Sequence, residues 1–130
     1  MKQLKLTFNG SFDKVFGLAW HFLFNAEVLS FDRFEIPENG FESGNVGLIE
    51  DQLDILAIGL SMQGDNLVTG NVGCLILYFD IIGSGRVNFE YKNLAAQDFA
   101  GNDLPIEAAN VSYEVEFINK LNCLIEEIEI

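Results

Sequence analysis

Val15-Phe16-Gly17-Leu18-Ala19-Trp20-His21-Phe22-Leu23-Phe24-Asn25 is the stretch that decides the fold. Leu18, Trp20, Phe22 and Phe24 alternate with Gly17, Ala19, His21 and Leu23. Alternate side chains of an extended strand point to opposite faces, so the first set makes one large, mostly aromatic face. That face belongs at the centre of a core. The second set then looks away from it. A helix would scatter both sets around its circumference, and nowhere in the chain does a 3.6-residue period persist over three turns.

Outward from this strand, turn residues recur at short intervals. Asn9-Gly10, Asn39-Gly40, Ser43-Gly44, Gly64-Asp65, Thr69-Gly70-Asn71, Gly83-Ser84-Gly85 and Ala100-Gly101-Asn102-Asp103 mark them. Between them lie further strand candidates: Leu4–Phe8, Val28–Ile36, Val46–Glu50, Leu53–Leu60, Val72–Ile82, Val87–Tyr91, Val111–Ile118 and Cys123–Ile130. About nine short strands with this punctuation predict an all-β protein, an antiparallel sandwich or barrel. Ile81 to Val87 reads as a hairpin turning on its glycines, Asn25–Leu29 fits at most a short helical turn, and Ala95–Ala100 is ambiguous between helix and strand. Tyr113, Val115 and Phe117 alternate with Ser112, Glu114 and Glu116, which gives Val111–Ile118 one dry face and one wet one. No linker interrupts the chain, so residues 1–130 read as one domain, with 119–130 as an extra C-terminal strand.

The composition sets limits. A formal charge of −13 from 20 acidic and 7 basic residues coexists with 49% hydrophobic residues and 12 Phe. Acidic disordered chains lack that apolar content, so this one folds. The charge argues against nucleic acid and anionic membranes as partners, since both need clustered Lys or Arg. No stretch approaches the ~18 apolar residues of a membrane span. Residues 1–20 hold no uninterrupted apolar core, so no signal peptide is expected in this chain. Cys74 and Cys123 fit one disulfide or, more simply, two small buried hydrophobes. Asn9-Gly10-Ser11 and Asn110-Val111-Ser112 match the glycosylation acceptor pattern.

Catalytic devices are scarce. His21 is the sole histidine, sits on an apolar strand and has no nucleophile near it in sequence. Zinc spacing is absent from Cys74, Cys123 and His21, and Gly83-Ser84-Gly85 is too short for a phosphate loop. Twenty carboxylates make accidental acid pairs common, so their number carries no argument for hydrolysis. The chain reads as no enzyme, with no required cofactor. Asp98, Asn102 and Asp103 gather hard oxygen donors in one glycine-containing loop, a possible calcium site, although tight turns use the same residues.

Leu53–Leu60 and Cys74–Ile82 differ from the late strands, because both parities are apolar. Burial on both faces is implied. A sandwich normally wets its outer faces, so a cover is expected: the terminal segment Cys123–Ile130, a second copy or a partner.

Three segments resemble cohesin modules. Val15 to Phe31 looks like their early strand and following turn. Gly73-Cys74-Leu75-Ile76-Leu77-Tyr78-Phe79 is similar to a later strand, one residue short. Asn93 to Asp103 is similar to a late glycine-containing segment. The resemblance spans residues 15–117 and implies a nine-stranded, jelly-roll-like sandwich without catalysis. It also implies an extracellular or cell-surface setting. There one outer sheet face would bind a dockerin, a small calcium-loaded helical module, and so attach enzymes to a cellulosome-like scaffold. This chain departs from the pattern at Asn25-Ala26, which replace Asp-Pro, and at Gly17 and Ala19, where many cohesins carry polar anchors. A hydrophobic partner face centred on Ala19, His21, Leu23, Leu56, Ile58 and Leu60 is therefore expected. Two alternatives stay open. One is a carbohydrate-binding module with Tyr78 or Tyr91 as a stacking platform. The other is a self-assembly domain, forming homodimers through an apolar sheet or an exchanged terminal strand.

Overall fold

The computed structural model describes residues 2–37, 41, 45–63, 66–85, 87, 89–108 and 119–129. The elements in chain order are β1 (Lys2–Val15), β2 (Gly17–Leu23), β3 (Leu29–Glu35), β4 (Asn45–Gln52) and β5 (Ile55–Ser61). They continue with β6 (Val68–Ile81), β7 (Glu90–Gln97), β8 (Asp103–Leu104), β9 (Ile106–Ala108) and β10 (Asn119–Glu129). Two five-stranded sheets form a sandwich. The first has the order β3-β6-β1-β10-β9 and the second β4-β5-β2-β7-β8. All pairings are antiparallel except β9 with β10. The expected β-sandwich is present, with ten strands among the described residues where about nine were expected.

The alternation in β2 resolves as predicted. Leu18, Trp20, Phe22 and Phe24 are buried, whereas Ala19 is exposed and His21 and Leu23 are half-buried. Phe8 of β1 is the hub on the facing sheet, with its ring 5.3 Å from Trp20 and 5.1 Å from Phe22. Phe22 also stacks on Phe89 at 5.0 Å, and Phe24 meets Phe79 at 4.9 Å. Tilted and edge-on pairs of this kind add to the area they bury.

Several boundaries differ from the sequence reading. The first strand runs to Val15 and the chain crosses sheets at Phe16, so Val15 closes one sheet and Gly17 opens the other. Asn9-Gly10 and Thr69-Gly70-Asn71 lie inside β1 and β6, at positions flanking register shifts rather than turns. Gly70 takes φ +101°, which glycine adopts without a side-chain penalty. Ile81 to Val87 is no hairpin, because β6 and the following β7 belong to different sheets. Ala95–Ala100 is half strand and half turn, its Ala95–Gln97 part belonging to β7. The turn at Asn25–Leu29 is present, with Val28 and Leu29 amides donating to the Asn25 carbonyl at 3.1 and 2.9 Å. Val111–Ile118, Asn39-Gly40, Ser43-Gly44, Gly64-Asp65 and the Asn110 acceptor lie outside the described residues.

The expected cover for the apolar strands takes another form. Cys123–Ile130 does not lie over a sheet, since residues 119–129 pair beside β1 as β10. On β6 the outward side chains are roofed by polar neighbours. Arg33 lies 3.9 Å over the Tyr78 ring and ion-pairs with Asp32, and Tyr78 donates to Glu35 at 3.1 Å. Gln3, only 2% exposed, donates from Nε2 to Asp32 at 2.7 Å and Asp80 at 2.8 Å. The cysteines are free. They sit on the two strands flanking β1, and strands twice removed stand about 9.5 Å apart, too far for a disulfide.

Candidate functional site

The outer face of the second sheet is built from the side of β2 that the core does not use. Directly opposed residues of antiparallel strands share a face, so register identifies its members. Gly47 opposes Gly59, Gly59 opposes Ala19, and Ala19 opposes Ala95. One row of glycine and alanine therefore crosses β4, β5, β2 and β7. The next row holds Ser61, Gly17 and Gln97, and on the other side come Ala57, His21 and Lys92, then Ile55, Leu23 and Glu90.

Without side-chain bulk the sheet surface dips. A shallow trough of about 520 Å³ lies over Gly17, Ala19, Gly47, Gly59, Ser61 and Ala95. A second hollow of about 300 Å³ continues it toward His21, Ala57 and Asn93. A β-carbon placed on Gly47 or Gly59 would meet nothing within 4 Å, so internal packing does not demand glycine there. In β7 the pairing slips between Ala19 and His21, and Asn93 in this bulge has φ +55°. The bulge turns Asn93 toward His21, with Nδ2 3.5 Å from the His21 Nδ1. Lys92 and Glu90 carry the charge on these rows and both lie at one end. Protein interfaces deplete charge at their centres in this way.

Of the six residues expected for a partner face, the structure places three on the outer side of the sheet and three inside. Ala19, His21 and Leu23 do point outward. Leu56, Ile58 and Leu60 are 0%, 3% and 2% exposed and face the core. They oppose Phe22, Trp20 and Leu18, all inward residues, so the outward set on β5 is Ile55, Ala57, Gly59 and Ser61. Gly47 and Ala95 also lie on this outer side and were not among the expected residues. The available signal was the small residues themselves, since Gly59 and Ser61 share a parity that Leu56, Ile58 and Leu60 do not.

Asp98 and Asn102, expected as hard oxygen donors, meet in a turn. The Asp98 carboxylate accepts from the amides of Ala100 at 3.0 Å and Asn102 at 2.9 Å, and from Asn102 Nδ2 at 3.3 Å. The Asn102 amide foremost holds its pKa below the usual carboxylate value. Asp103 instead enters β8 opposite Gln97. Among the described residues no group of three His, Cys, Asp or Glu side chains comes together as metal ligands do.

No sugar platform forms at the expected tyrosines. Tyr78 is 7% exposed beneath Arg33. Tyr91 packs edge-on against Phe8 and Phe22 inside the sandwich. Asn9, the other glycosylation candidate, lies in the middle of β1 with strands on both sides. Among the described residues no helix is long and apolar enough to cross a membrane.

Solved structures that superpose on this fold include cohesins. A non-cellulosomal cohesin from the archaeon Archaeoglobus fulgidus superposes with a TM-score of 0.59 at 13% identity, over 85% of this chain and 71% of its own. The fold is cohesin-like. A cohesin module from a Clostridium perfringens family 33 glycoside hydrolase gives 0.59 at 14% identity, over 89% and 73%. The sixth cohesin of Acetivibrio cellulolyticus scaffoldin B, solved in complex with a dockerin, gives 0.60 at 10% identity, over 86% and 80%. No protein-family model and no curated protein matches the sequence. The cohesin likeness is one of structure.

Proposed function

We propose that this chain is a non-catalytic protein-binding module that docks a dockerin-like partner on the outer face of its second sheet. The observation that carries the reading is the uncharged row Gly47-Gly59-Ala19-Ala95 across a cohesin-like sandwich. A surface without side chains lets a partner's backbone and short side chains approach closely over several strands. Helices of a small module fit such a trough better than an extended sugar, which needs exposed aromatic rings to stack on. The dockerin complex of the Acetivibrio cellulolyticus cohesin supports the partner class. Polar anchors are few, so apolar contact supplies most of the affinity, with His21, Asn93 and Gln97 at the margins for specificity. Such a module acts outside the cell or at its surface, holding an enzyme or another protein in place.

The test is calorimetric titration with dockerin modules of different types, repeated with Gly59→Gln and Gly47→Gln. Binding in the parent and a loss of at least tenfold in both variants is expected, with thermal unfolding unchanged. Absence of binding across the dockerin types would overturn the partner class. Equal binding by parent and variants would overturn the face.

A further inference from the structure

Between Ala19 and His21 the β2 strand advances two residues while its neighbour β7 advances three, from Ala95 to Lys92. The extra residue is taken up at Asn93, whose φ of +55° few side chains tolerate and asparagine tolerates best after glycine. Strain of this kind inside a paired strand marks a place where backbone comfort is given up to aim a side chain.

What the bulge aims is an amide, and its target is the only imidazole of the chain. Asn93 Nδ2 lies 3.5 Å from His21 Nδ1. An amide nitrogen only donates, so Nδ1 accepts and the neutral ring keeps its proton on Nε2. Among the described residues Nε2 has no partner. His21 and Asn93 both line the hollow of about 300 Å³ that prolongs the trough, so this N–H is offered on the docking face.

Lys92 stands directly opposite His21 on the adjoining strand. Opposed residues share a face and lie within reach of each other, and Lys92 forms no ion pair among the described residues. Glu90, the next outward residue of β7, is one row further out, opposite Leu23. Asp103 lies toward the other end of the face, opposite Gln97. An N–H donor beside an ammonium recognises a carboxylate, whereas an acid set near Glu90 or Asp103 would be repelled.

Resting on the docking face described above, we propose that Asn93 is a positioning residue that holds His21 as an Nε2–H donor, and that His21 and Lys92 together receive an aspartate or glutamate side chain of the partner. The glycine and alanine row gives close approach without direction; this contact fixes which way round the partner lies. The bulge position needs asparagine for it. Glycine would accept the backbone angle but bring no amide. Aspartate would accept from Nδ1, drawing the ring proton off Nε2, and would repel the incoming carboxylate.

The single histidine makes the first readout unambiguous. Ring nitrogen–proton correlation spectra are recorded at about pH 9, where an imidazole is neutral, on the parent, Asn93→Gly and Asn93→Asp. The parent carries its proton on Nε2, and Asn93→Asp moves it to Nδ1. The second readout is calorimetric titration with the dockerin modules, using these variants and Lys92→Glu beside Gly59→Gln. Parent affinity falls as salt rises. Asn93→Gly binds roughly threefold or more weakly, and Asn93→Asp and Lys92→Glu roughly tenfold or more weakly. A ring proton on Nδ1 in the parent, or on Nε2 in Asn93→Asp, overturns the inference. So does binding that Gly59→Gln loses while Asn93→Asp and Lys92→Glu keep it, and that result leaves the docking face standing. No dockerin binding by the parent removes the face and this contact together.

Discussion

Gly83 stands so close to Glu27 that a β-carbon on it would lie 2.4 Å from the Glu27 carbonyl oxygen. The amides of Ile82 and Gly83 both donate to the Val28 carbonyl, at 2.8 and 3.2 Å. The crossover from β6 toward β7 is thus pressed against the turn between β2 and β3. Gly83→Ala should force one of the two backbones to move and cost about 1–3 kcal/mol, as overpacking does. A urea unfolding midpoint equal to the parent's would contradict this.

Gly59 is the opposite case. Its open surroundings predict that Gly59→Ala changes stability by no more than about 0.5 kcal/mol. Thermal melts of Gly59→Ala and Gly83→Ala side by side should separate the two clearly.

Phe8 joins both sheets through Trp20, Phe22 and Tyr91. Phe8→Ala should cost about 3–5 kcal/mol, enough to leave a marginal domain partly unfolded. Trp20 is 1% exposed, and its emission should shift to longer wavelength in that variant. Unshifted emission and an unchanged midpoint would show that the hub is elsewhere.

Burial pushes the thiols of Cys74 and Cys123 up to about 12, and it raises the Tyr91 hydroxyl in the same direction. The folded state holds these protons more tightly than the unfolded chain. Their contribution is therefore complete below the ordinary thiol range near pH 9 and is lost as pH rises toward 12. Stability should fall across that window, and Cys123→Ala should make the fall shallower. Equal slopes for parent and variant would remove the thiols from the explanation. Native protein should also resist alkylation at pH 8 and react once unfolded.

Gln3 separates two carboxylates with one amide group, donating to both Asp32 and Asp80. Gln3→Glu replaces the donor with a third acidic group and should cost about 1–3 kcal/mol at neutral pH. The added carboxyl has its folded pKa raised by its neighbours, so the deficit relative to the parent should shrink as pH falls through the carboxylate range. A deficit that stays constant with pH would mean that shape, not charge, is responsible.

The fold class was legible because β2 alternates cleanly: its inward side is large and its outward side small, so period and phase can be read together. The phase of β5 was not. Leu53, Ile55, Leu56, Ala57, Ile58 and Leu60 offer apolar side chains on both parities, and only the register with β2 places Leu56, Ile58 and Leu60 inside. Glycine misled in another way. Gly10 and Gly70 read as turns because glycine favours them, yet both lie within long strands that bend at irregular register. Asp98 and Asn102 were ambiguous in sequence, since a turn and a calcium loop draw on the same oxygens. In the structure Asp98 and Asn102 make the hydrogen bonds of a turn. The outer trough was hidden because its mark is the shortage of side chains, and a shortage has no motif.

That shortage has a consequence for how the molecule can change. At Gly47 and Gly59 the protein's own packing imposes no choice of residue, while β5, which carries Gly59, buries Leu56, Ile58 and Leu60 on its other side. Substitutions on the outer row can therefore accumulate one at a time without passing through an unfolded intermediate. The face is a neutral ground on which new pairings could diverge, and a library varied at Gly47, Gly59, Ala19 and Ala95 is where mutually exclusive partners should be easiest to select.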